Sequence, residues 1–134
     1  MVDKTILIVG TFDTKNDELE YMAERVKAMD GGVLTMDISV LGNPEKATDI
    51  SKHQVAEAAS SSIKLAIDSG DENTAMQIMA NGASTLAKSL YAKGEFDGVV
   101  ILGGTMGTDA ALDICQALPL GVPKYVVSTV SFSP

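Results

Sequence analysis

Thr5-Ile6-Leu7-Ile8-Val9-Gly10, running into Thr11-Phe12-Asp13-Thr14-Lys15, is the stretch from which the fold can be read. Thr5 to Val9 form a continuous apolar run rich in β-branched residues, with no polar alternation, and glycine closes it. That is the pattern of a strand buried on both faces, which belongs to a parallel sheet. Downstream, Leu19, Met22, Ala23, Val26 and Met29 recur at helical spacing among charged residues until Gly31-Gly32 stops the pattern. Val33 to Val40 reads as a second strand, and Leu41 to Asp49, with Gly42, Asn43 and Pro44, as a loop.

Further along, Asp49 or Ser51 can cap a helix whose inner stripe is Val55, Ala59, Ile63 and Ala66. Ser69-Gly70-Asp71 interrupts it, and a longer helix begins near Glu72 with Ala75, Met76, Met79, Ala83, Leu86 and Leu90 on one face. That face reads as core. Gly98 to Leu102 is a third buried strand, Asp109 to Leu118 a helix, and Lys124 to Thr129 a fourth strand. Three strand-helix-strand connections, each long enough for a right-handed crossover, predict a Rossmann-like, doubly wound open α/β sheet. It is mostly parallel, of strand order 2-1-3-4, with helices on both faces.

The 134 residues, 46% of them hydrophobic, suit a single domain spanning residues 1–134. Ten Lys and Arg against eighteen Asp and Glu give a formal charge of -8. Such a field repels polyanions, so nucleic acid is not an expected partner. No segment approaches the roughly twenty apolar residues of a membrane span. A single cysteine, Cys115, lies in an apolar stretch and reads as core; a lone thiol suits a reducing, cytoplasmic location. His53 is the only histidine, which leaves no histidine-based zinc cluster and no nucleophile-base-acid triad to nominate.

Ligands of open α/β sheets sit at the carboxyl ends of the strands, where connections diverge to opposite faces. In order 2-1-3-4 that switch point lies between strands one and three, and the two most unusual turns of the sequence follow those strands. In the first, Gly10 lets the backbone approach a ligand and Thr11 and Thr14 offer hydroxyls. Lys15 places a cation where the helix dipole is unfavourable, a conflict that a bound anion would relieve. The other reading has Asp17 and Glu18 satisfying the dipole while Lys15 meets solvent. The second turn, Gly103-Gly104-Thr105-Met106-Gly107-Thr108-Asp109, either closes tightly for packing or cradles an anion on successive N–H groups. Neither turn has the ending of a P-loop, and the second only partly matches the dinucleotide fingerprint. Ser128 and Thr129 end the fourth strand beside the same crevice. Asp37, closing the second strand, can accept from a ribose hydroxyl or serve as a loop-entry aspartate. Asp13 and Asp109 are candidates to help hold Mg²⁺, or to cap helices.

These same residues, with Glu18, Asp49-Ile50-Ser51, Met79-Ala80-Asn81-Gly82-Ala83, Leu118-Pro119-Leu120-Gly121-Val122-Pro123-Lys124 and Val127-Ser128-Thr129, resemble the Tm-one-like ATP-binding domain family nearly end to end. That family takes its name from a plant inhibitor of tomato mosaic virus replication. The resemblance implies an ATP-binding domain, with or without Mg²⁺, forming the N-terminal half of a larger and often dimeric two-domain protein. Two departures stand out: Asp71-Glu72-Asn73 where the family usually has aspartate-arginine-glycine, and Ser131-Phe132-Ser133-Pro134 where it has a small glycine-containing segment. The leading expectation is a nucleotide site that organises a homodimer or partner surface. The alternatives are half of an ATP-dependent enzyme completed by a second domain, and a protein-interaction or inhibitor module using the small-residue helix from Ala75 to Leu90.

Overall fold

The computed structural model describes residues 4–13, 15–42, 47–103 and 107–128, with the backbone alone at 72, 103, 107–110 and 128. Four strands, β1 (Thr5–Gly10), β2 (Gly32–Asp37), β3 (Gly98–Gly103) and β4 (Lys124–Ser128), form one sheet in the order β2-β1-β3-β4. All three pairings are parallel. This is the α/β topology expected from the sequence.

Among the described residues, five helices connect the strands: α1 (Asn16–Ala28), α2 (Lys52–Ala58), α3 (Ile63–Asp68), α4 (Glu72–Ala92) and α5 (Gly107–Ala117). The apolar run of β1 serves both faces of the sheet. Ile8 lies under α1 in a cluster with Phe12, Leu19 and Leu102, supported by Met22 and Ala23. Leu7 and Val9 point the other way, into the larger core with Val55, Met79, Ala83, Val99, Ile101 and Ile114. The strand is buried because both faces are covered, and its lack of alternation follows from that. The expected core face of α4 is confirmed at Ala75, Met76, Met79 and Ala83. Cys115 is half-buried against the same core.

Three boundaries differ from expectation by two residues or more, the first two for a local reason. β2 ends at Asp37 instead of Val40, because the Asp37 carboxylate accepts from both the N–H and the hydroxyl of Ser39 and turns the chain out of the ladder. The helix expected from residue 51 to Ala66 is two helices. Ser60 adopts a positive φ of 59°, and Ser62 accepts from the Leu65 N–H, so a serine run ends one helix and caps the next. Of the two candidate caps, Ser51 is the one used, in a capping box with Gln54. The last helix starts at Gly107, two residues before Asp109. The predicted ends at Thr129 and in the loop at Asn43 and Pro44 lie outside the described residues. Among the described residues, no helix is long and apolar enough to cross a membrane.

Candidate functional site

The strands finish level with one another. Register pairs Gly10 with Asp37 on one side and with Leu102 on the other, and pairs Gly103 with Ser128. Gly10, Asp37, Gly103 and Ser128 therefore stand along the carboxyl edge of the sheet, the edge where open α/β sheets bind ligands.

Asp37 is 1% exposed and organises this edge. Its Oδ1 accepts from the Phe12 N–H (3.3 Å) and from both Ser39 donors, so one carboxylate oxygen ties the turn after β1 to the loop after β2. Its Oδ2 is buried and, among the described residues, has no hydrogen-bond partner. Asp13 makes the second tie: Oδ2 accepts from the Gly42 N–H at 3.1 Å, while its Oδ1 is buried without a partner among the described residues. Gly42 has to be glycine for this approach, since a Cβ there would stand 2.7 Å from that of Asp13. On its other side the Gly42 carbonyl accepts from Lys52 Nζ at 2.6 Å, and Lys52 also donates to the Val40 carbonyl at 3.2 Å. Lys52 is buried, so these bonds form in a low-dielectric setting where charge-assisted hydrogen bonds are strong.

Between the two loops and the start of α4 opens a cleft of about 340 Å³. Thr11, Asp13 and Ser39 supply polar groups on the sheet side. Ile38, Val40 and Leu41 form one apolar wall; Ala66 and Ile67 of α3, with Ala75 and Met76 of α4, form the other. Gly70 and Asp71 complete the rim. Asp71 caps α4, accepting from the Thr74 hydroxyl (2.8 Å) and the Asn73 N–H (3.2 Å). The Thr74 hydroxyl first, and then the Asn73 N–H, hold its carboxyl below the ordinary 3.8. Lys15 immediately precedes α1, and its N–H closes the turn onto the Thr11 carbonyl at 2.8 Å. Its Nζ lies 3.9 Å from Glu18 and, among the described residues, it is not part of the cleft lining.

Over residues 4–133 the chain matches the model of the uncharacterised protein family UPF0261, N-terminal domain. The chain belongs to the UPF0261 family. A UPF0261 protein of Brucella suis is 51% identical over 96% of this chain and 31% of its own length. One from Clostridium tetani is 32% identical over 97% and 32%. The tomato (Solanum lycopersicum) ToMV resistance protein Tm-1 is a more distant relative, 26% identical over 94% of this chain and 19% of its own. This UPF0261 domain thus spans about a third of the length of the bacterial relatives it matches.

Of the residues nominated from sequence, the structure brings Thr11 and Asp13 into the cleft and sets Gly10, Asp37, Gly103 and Ser128 along the edge beside it. Gly107 and Thr108 open α5, as backbone positions. Asp109 is likewise described in backbone alone, and Thr14, Gly104, Thr105 and Thr129 lie outside the described residues. His53 is exposed, as its polar surroundings suggested. Sequence reasoning missed Ser39, the apolar walls from α3 and α4, and Lys52. A signal for Lys52 did exist: it lies three and four residues before the buried Val55 and Ala56, on the inner face of α2.

Proposed function

We propose that this domain binds a nucleotide, ATP, at the carboxyl edge of its sheet. The observation that carries the reading is the cleft itself, which opens off the ends of β1 and β2 next to the switch point between β1 and β3. Its volume falls within the roughly 300 to 1,000 Å³ of small-molecule sites, and its mix of apolar walls and a few converging polar groups has their usual character. Its described lining contains acids, hydroxyls and apolar side chains but no lysine or arginine. Such a lining suits the nucleoside portion, whose base packs on apolar surface and whose donors meet Asp13 and Ser39. The phosphates then extend out of the cleft toward Lys15, the α1 start and the glycine turn after β3, where N–H groups and a cation can meet them. Mg²⁺ would offset the repulsion between the phosphates and a domain of formal charge -8.

An amide-resolved titration with Mg-ATP, in a protein that includes the rest of the chain found in the relatives, tests this. The signals of Val40 and Leu41 should shift together with those of Gly10 to Lys15 and Gly103 to Asp109. Millimolar ATP that moves none of the three segments sinks the reading. Ile67, half exposed at the cleft mouth, gives a second check. Ile67→Trp should fill the opening and weaken binding about tenfold with an unchanged melting temperature.

A further inference from the structure

β4 has the composition of an interior strand and the surroundings of an edge. Tyr125, Val126 and Val127 are 67%, 46% and 42% exposed, whereas Ile101 and Leu102, which pair with Val126 and Val127, are at most 2% exposed. By strand alternation Tyr125 and Val127 share the face on which α1 sits, and Val126 looks to the other. α1 packs on β1 and β2 and its Leu19 reaches Leu102 of β3, so the uncovered part of this face, among the described residues, is β4, where Tyr125 and Val127 stay exposed. Leu120, just before the strand, is fully exposed.

The hydrogen bonding is equally unfinished. In the register Val99↔Lys124, the Val99 N–H donates to the Pro123 carbonyl at 3.0 Å. A parallel ladder then directs every second amide, those of Tyr125 and Val127, toward β3, and leaves the N–H and C=O of Val126 on the outer edge. Edge strands of stable proteins are usually blunted by charge, proline or a bulge. In β4, Lys124 carries the one charge, its Nζ drawn onto the Pro119 carbonyl at 2.6 Å, and Tyr125-Val126-Val127 carries neither a charge nor a proline.

Two facts bear on what covers this edge. The family model designates this region N-terminal, and more than two thirds of each bacterial relative lies outside the match. In those relatives the rest of the chain follows directly on the strand matching β4, at high effective concentration relative to any separate molecule. A second copy would bring another formal charge of -8 against the first.

We infer that in the full-length protein the chain following this domain lays a further strand along the free edge of β4 and covers Tyr125 and Val127. Hydrogen exchange in the full-length protein tests it. The Val126 amide should be protected to the level of Leu7 and Ile8 in β1, at least a hundredfold slower than the amide of exposed Leu41, and independent of protein concentration. Exchange of Val126 as fast as Leu41 overturns the inference, and so does protection that grows with concentration, which would assign the edge to a second copy. Val126→Pro is an independent check, because proline is tolerated where an N–H faces solvent at an open edge but not where it enters a ladder. The full-length variant should unfold at a lower denaturant midpoint than the wild type; an unchanged midpoint counts against the added strand.

Discussion

Gly82 of α4 and Val55 of α2 approach so closely that a Cβ added to Gly82 would lie 1.8 Å from the Val55 carbonyl oxygen. Backbone meets backbone there, so no rotamer change can make room. The contact brings α2 against α4, whose first turns carry the Ala75 and Met76 wall of the cleft. Gly82→Ala should force the helices apart and destabilise the fold by about 1 to 3 kcal/mol or more, the usual range for overpacking. Urea denaturation checks this, and an unchanged midpoint would mean the crossing is looser than the geometry indicates.

Lys52 should matter through its two carbonyl acceptors. Lys52→Met keeps the aliphatic stem but leaves the Val40 and Gly42 carbonyls without their donor, a loss of about 1 to 3 kcal/mol for buried polar groups. The same change should free the loop after β2, speeding exchange of the Gly42 amide and weakening any ligand held against Val40 and Leu41. If stability drops while Gly42 exchange stays the same, Lys52 acts through packing of its stem alone.

The fold was legible because β1 states its environment directly: Ile6 to Val9 are all apolar, as a strand covered on both faces requires. Crossover rules then left little freedom in strand order. Boundaries were harder wherever side chains compete with backbone ladders. Val33 to Val40 reads as one strand until the Asp37 carboxylate bonds Ser39, and Val55 to Ala66 reads as one stripe until Ser60 and Ser62 break it. The site was half legible. The glycines and threonines at the strand ends announce themselves by type and position, whereas the cleft depends on α3 and α4 folding back over the β2 loop. No local pattern encodes that long-range placement, and Lys52 was hidden because a buried lysine runs against the ordinary preference of the residue.

Acid should loosen the start of α4. The Asp71 carboxyl is held below its ordinary value by the Thr74 hydroxyl and the Asn73 N–H, both of which favour the ionised form. A carboxylate lowered in the folded state contributes stability above its unfolded value, and that contribution is lost as the pH falls through the lowered folded value. The Asn73 amide should therefore titrate with a midpoint under 3.8. Asp71→Asn, which keeps a capping oxygen without the charge, should abolish that step. A midpoint at or above the ordinary value would show that the cap is not formed in solution.

Lys15 separates phosphate binding from simple surface chemistry. Its described ion pair, to Glu18 at 3.9 Å, is long and partly exposed, and such pairs contribute at most about 1 kcal/mol. Its position just before α1 sets a cation against the positive end of the helix dipole, which offsets even that small gain. Lys15→Ala should therefore leave the unfolding midpoint nearly unchanged, or raise it slightly. Nucleotide affinity is a different matter. A charge-assisted bond from Lys15 to a phosphate oxygen is worth about 1.5 to 3 kcal/mol, so its loss should weaken ATP binding roughly tenfold or more. AMP, which lacks the outer phosphates, should lose much less. Calorimetry with both nucleotides on wild type and variant distinguishes the cases: an equal loss for ATP and AMP places Lys15 away from the outer phosphates, and no loss for either returns it to the solvated surface.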